Sequence, residues 1–154
     1  MKKLKFLKYI AILILAFSCS NDDAKEQQSD PIIGTWNPTR EVDFNNDGTQ
    51  VVDIANVCEL KGRFTFLENG SLAFKTFDGN DIDDCVEDFV IQEGISSWEK
   101  ISETTYEIII SYIDPSTDQV ETNTQIYKIT FPDAITMRLA SVGELDYNEF
   151  SRLE

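Results

Sequence analysis

The sequence contains no histidine, and it carries only 13 Lys/Arg against 28 Asp/Glu. Without an imidazole there is no His general base, no His proton shuttle working near neutral pH and no His-ligated metal. Cysteine is also scarce, with three in the chain and none in C-x-x-C spacing. No glycine-rich phosphate loop and no G-x-S-x-G elbow occurs. Paired carboxylates are the one enzymatic route left open, and with 28 acids in 154 residues the closeness of two singles out no pair. The chain therefore reads as non-enzymatic, with no catalytic residue, cofactor or metal site assigned. Four of the 13 cations (Lys2, Lys3, Lys5 and Lys8) lie in the first eight residues, and no acid precedes Asp22. Removing that leader takes the net charge from −15 to −19. A field of that sign repels phosphate backbones, which excludes nucleic acid as a partner.

Long hydrophobic runs are absent as well. The basic start is followed by an apolar run, Tyr9 to Phe17, of nine residues. A spanning helix needs ~20, so residues 1–18 read as a signal peptide. Ala16-Phe17-Ser18-Cys19 resembles the lipobox of bacterial lipoproteins, in which a small residue precedes a cysteine that is acylated after cleavage. The position three before the cysteine, usually Leu, is Ala16 here, with Leu15 one further back. The resemblance implies a membrane anchor through acylated Cys19, since two or more acyl chains hold a protein stably at a bilayer. Residues 20–31 hold no large apolar residue and read as a disordered tether. Ser20-Asn21-Asp22-Asp23 resembles the acidic stretch that marks Bacteroidota lipoproteins for the outer face of the outer membrane. It points to the cell surface over the periplasmic face.

With Cys19 assigned to lipid, Cys58 and Cys85 remain. Export places them in an oxidising compartment, where two leftover thiols pair. A bond between them closes a loop of roughly 28 residues, which contributes about 3–4 kcal/mol in the chain-entropy model.

From residue 32 to 154 apolar residues recur with period two, broken by turn residues every eight to twelve positions. Trp36, Val42 and Phe44 share the parity of the first run. Phe64 and Phe66 precede Glu68-Asn69-Gly70-Ser71, which reads as a tight type I′ hairpin returning through Leu72 and Phe74. Further runs carry Phe89, Trp98, then Tyr106, Ile108, Ile110 and Tyr112, then Ile129 and Phe131, then Met137 and Leu139, and finally Phe150 and Arg152. The expectation is an all-β domain over residues 32–154 with eight to ten short strands. Hiding their apolar faces and edges requires an up-and-down antiparallel barrel or a two-sheet sandwich. The lack of long crossovers favours the barrel.

Gly34-Thr35-Trp36, at the start of the first strand, resembles the G-x-W signature of lipocalins and of the lipocalin-like lipoproteins of Bacteroidota. The resemblance covers roughly Ile32 to Leu153. It implies a barrel whose closed end holds Trp36, with an Arg from near the last strand packed across the ring; Arg152 matches by place and Arg138 is second. It also implies a small apolar or amphipathic ligand in the barrel.

The face expected to line such a cavity comprises Phe64, Phe66, Phe74, Phe89, Trp98, Tyr106, Ile108, Ile110 and Met137, with Tyr106 or Tyr112 as a polar tip. A void of ~300 Å³ or more, opening opposite Trp36, fits ligand binding. A side-chain-filled barrel fits the alternative, a non-catalytic module contacting a surface protein or glycan through its loops. The acidic loop 78–84 does not follow the EF-hand pattern, because position five is Ile82 and position six is Asp83. It reads as a solvated loop.

Overall fold

A computed structural model describes residues 29–90, 95–114, 117 and 119–154, with only the backbone of Asp88, Phe89, Val90 and Asp114. The signal peptide, Cys19 and most of the expected tether lie outside the described residues. The fold is all-β, with ten antiparallel strands. In chain order these are β1 (Gly34–Phe44), β2 (Gln50–Ile54), β3 (Arg63–Phe66), β4 (Leu72–Asp78), β5 (Val86–Val90), β6 (Ser97–Lys100), β7 (Thr105–Asp114), β8 (Gln119–Thr130), β9 (Thr136–Ser141) and β10 (Tyr147–Arg152). A 3-10 turn, Glu59–Lys61, precedes β3. No helix among the described residues is long and apolar enough to cross a membrane.

The strands form one sheet in the order β5-β4-β3-β1-β10-β9-β8-β7-β6, with β2 also paired to β1. β1 is the keystone, with β10 along one edge and first β3, then β2, along the other. The first and last strands are therefore neighbours. The two ends of the path, β5 and β6, share no ladder among the described residues. β6 reaches the start of β4 through one isolated bridge, Ser71–Ser97. Backbone hydrogen bonds flank it, from Leu72 N–H to Ser96 O (3.0 Å) and from Trp98 N–H to Gly70 O (2.8 Å). Among the described residues no ladder joins the two ends, so the sheet is all-β and antiparallel as expected, with the choice between barrel and sandwich left open.

The β3–β4 turn differs from expectation. Gly70 N–H donates to Leu67 O (3.0 Å), Leu67 N–H donates to Ser71 O (2.9 Å), and Gly70 has φ 83°. This is a three-residue loop with glycine in the left-handed region, in place of a two-residue type I′ turn.

β1 contains a bulge that the parity of the sequence conceals. Trp36 pairs with Arg152 and Pro38 with Phe150, but Arg40 pairs with Glu149 and Val42 with Tyr147. Thr39 is the extra residue, following a proline that fixes φ and donates no hydrogen bond. One inserted residue exchanges the faces of everything beyond it. Trp36 and Pro38 share the side of Phe150, whereas Arg40, Val42 and Phe44 lie on the opposite side and Glu41 takes the inner one. Phe44 is thus not on the inner face with Trp36; it packs against Tyr147, centroid to centroid 6.5 Å.

The core holds Ile32, Trp36, Phe66, Leu72, Phe74, Tyr106, Ile108, Ile129, Met137 and Phe150, all buried. Burying each large apolar side chain stabilises the fold by roughly 1.5–3 kcal/mol. Phe64 stacks on Phe74 at 5.4 Å and meets the edge of Phe150 at 5.2 Å.

Candidate functional site: an apolar cavity with an acidic mouth

One end of the sheet is shut by the entry segment. Ile32 is fully buried, and the Trp36 Nε1–H donates to its carbonyl oxygen (2.8 Å). The Arg152 guanidinium lies 4.3 Å from the Trp36 ring centroid. It donates to the carbonyl oxygens of Ile33 (2.8 Å), Pro31 (2.5 Å) and Ala134 (3.2 Å). Gly34 has φ 137°, and a Cβ there would stand 2.5 Å from Arg152 Nη1. Glycine is required twice at this position, for the backbone angle and for the space the guanidinium occupies. Arg138, second in order for that role, instead lies over the Tyr147 ring at 4.9 Å and donates to Glu149.

Asp30 secures the same end. Its carboxylate takes an ion pair from Lys100 (2.7 Å) and hydrogen bonds from the Tyr106 hydroxyl (2.9 Å) and Ile32 N–H (3.1 Å). Burial pushes its pKa up, but these donors outweigh it and hold the carboxyl below its ordinary value. Asp30 raises the Lys100 pKa in turn, and burial together with Asp30 raises that of Tyr106. Tyr106 therefore belongs to the shut end.

Beyond this plug lies a cavity of about 390 Å³. Its deep wall is apolar, formed by Phe64, Phe66, Leu72, Phe77, Ile108, Ile110, Met137, Leu139 and Phe150. Glu41, Asp53, Ile54, Glu59 and Asn148, all exposed, form the mouth. Trp36 is absent from the lining, and the β10 partners of Trp36 and Glu41, Arg152 and Asn148, stand four residues apart, about 13 Å at strand rise. Of the residues expected to line a cavity, Phe64, Phe66, Ile108, Ile110 and Met137 do so. Phe74, the cross-strand partner of Phe64 on the same face, stacks against its ring and is not part of the lining. Trp98 sits at the shut end, edge-on to Phe66 at 6.1 Å, with its Nε1–H donating to Leu67 O (3.0 Å). The Phe89 side chain lies outside the described residues.

The polar tips also differ from expectation. The Tyr112 hydroxyl donates to Glu121 (2.7 Å), and Tyr127 is the tyrosine that lines the cavity. Burial raises the Tyr127 pKa, and its hydroxyl donates to Gln125. The Thr76 hydroxyl oxygen, on another lining residue, is buried with no hydrogen-bond partner among the described residues.

Cys58 and Cys85 are joined by a disulfide, Cα to Cα 5.3 Å. It fixes the segment carrying Glu59 to the loop ahead of β5, one side of the mouth. Asp78, Asp81, Asp83 and Asp84 of that loop are exposed. No group of three or more acidic or cysteine side chains among the described residues is placed to hold a metal ion.

On the far face of the bulge, Glu149 is buried between Arg40 (2.8 Å) and Arg138 (2.9 Å). Burial raises its pKa, and the two guanidinium groups more than reverse that, leaving it lowered. The acidic mouth and the Glu149 cluster are the features that period-two reading misses, whereas Tyr127 alternates with Ile129 and Phe131 but is not among the residues expected to line the cavity. A bulge after Pro38 was the one signal that could have exposed the first of them.

No family model and no curated protein matches this chain.

Proposed function

We propose that the protein is an exported, lipid-anchored, lipocalin-like β-barrel that binds one small apolar or amphipathic molecule in its interior, without catalysis. The observation that carries this reading is the cavity of about 390 Å³, whose wall of phenylalanine and aliphatic side chains stays open where a filled core would close it. Its size falls within the ~300–1,000 Å³ of small-molecule pockets. The Trp36–Arg152 pair and the neighbouring first and last strands support the family resemblance, and the Ser71–Ser97 bridge between the start of β4 and β6 supports a barrel over a sandwich. The leader and Cys19 support an anchor in the outer membrane, facing the cell surface.

A second reading, a non-catalytic surface module, draws support from β2. All five of its residues are exposed, including Val51, Val52 and Ile54, and it pairs only with β1 among the described residues. Native mass spectrometry of the purified protein, with titration of the neutral dye N-phenylnaphthylamine, separates the two. Ligand binding predicts a co-purifying small molecule or one dye per chain, with dye affinity reduced in Met137→Trp. Absence of both overturns it in favour of the module.

A further inference from the structure

We infer that the ligand is an amphiphilic cation: an apolar body carrying an organic ammonium head. This rests on the cavity being a ligand site and adds the charge that site selects. Glu41 and Asp53 are direct cross-strand partners on β1 and β2, and both line the mouth. Like charges placed directly opposite destabilise a strand pair. Neither carboxylate takes part in an ion pair among the described residues; the pairs present go to Asp30, Glu87 and Glu149. Glu59 adds a third carboxylate to the rim, and among the described residues it accepts only the Asn56 N–H (2.8 Å). Arg40 is the one cation of the lining, and its guanidinium is engaged by Glu149 at 2.8 Å.

The cavity is therefore apolar in depth and negative at its opening. A low-dielectric wall behind the charges focuses their field on whatever head group rests in the mouth. An anionic head meets three carboxylates there, a neutral one gains nothing from them, and a cation relieves the opposition of Glu41 and Asp53. The three acids line a rim and do not converge as metal ligands do, which favours a bulky organic cation over a metal ion.

Calorimetric titration of the purified protein, exchanged out of detergent, with decyltrimethylammonium, decyl maltoside and decyl sulfate below their micelle concentrations tests this. The ammonium probe is expected to bind about tenfold more tightly than the maltoside, with the sulfate weakest, and the preference is expected to shrink at high salt. Glu41→Gln with Asp53→Asn, which leaves Glu59 as the one carboxylate of the rim, is expected to reduce the preference severalfold while leaving the melting temperature no lower, since it removes an opposed like-charge pair. Equal binding of the three probes, or preference for the sulfate, overturns the charge inference and leaves the cavity reading standing. Binding of none overturns both.

Discussion

Arg152 covers the face of Trp36 and, in the same posture, donates to the carbonyl oxygens of Pro31 and Ile33. One guanidinium thus joins the last strand, the first strand and the segment that enters the sheet. Arg152→Ala removes the ring contact, worth about 0.5–2 kcal/mol, and leaves those carbonyls without their donor. The expected loss in chemical denaturation is about 2–3 kcal/mol. Arg152→Lys, which keeps charge but not the planar fork, is expected to recover less than half of it. Equal stability of Arg152→Ala and the parent protein would remove the pair from the account of the fold.

Gly34→Ala is expected to destabilise by more than the same change at an open, positive-φ glycine. Gly48 is the control, with φ 81° and nothing within 4 Å of an added Cβ. At Gly34 the methyl meets Arg152 Nη1 at 2.5 Å. Comparing the melting temperatures of the two variants isolates the steric part. Similar shifts would show that the guanidinium swings aside freely.

Acid is expected to loosen the shut end and the Glu149 cluster together. Asp30 and Glu149 both have folded pKa values below their ordinary ones, burial opposing the shift and the Lys100, Arg40 and Arg138 partners carrying it. A lowered folded value contributes stability that is present above the ordinary carboxylate range and is lost as pH falls below about 4. Melting temperature against pH should fall more gently in Asp30→Asn than in the parent, from a lower plateau at neutral pH. Glu149→Gln is expected to cost about 1–2 kcal/mol at neutral pH, discounted because both arginines are partly exposed. A parent and an Asp30→Asn variant with parallel acid limbs would exclude Asp30 as a contributor.

Reduction of Cys58–Cys85 is expected to lower the melting temperature, by the equivalent of about 3–4 kcal/mol if the unfolded chain is otherwise unconstrained. Hydrogen exchange should rise first around Glu59 and the loop before β5, the two segments the bond ties together. Uniform exchange across the sheet would mean that the bond steadies the whole fold and no one side of the opening.

Strand content was legible because alternation over Phe64–Phe66, Tyr106–Tyr112 and Met137–Leu139 is carried by local parity alone. The Trp36–Arg152 pair was legible through resemblance to a family signature, and the cysteine pairing through elimination. Parity fails where the chain gains a residue. Thr39 turns Val42 and Phe44 away from Trp36 and brings Glu41 round to the cavity, so reading on from Trp36 at period two assigns the wrong residues beyond it. Tyr106 and Trp98 do lie inward, yet their position along the sheet axis puts them in the plug. Alternation encodes which face a residue occupies and carries no information on height, so it cannot divide an inner face into floor and wall.

The plug also decides how the molecule can be held. Residues 30–33 dock beneath Trp36, and Leu153 N–H donates to Thr35 O (2.8 Å), so the chain both arrives and departs at the base. A group attached beside Asp30 or Leu153 therefore sits at the base and leaves the rim of Glu41, Asp53 and Glu59 unobstructed.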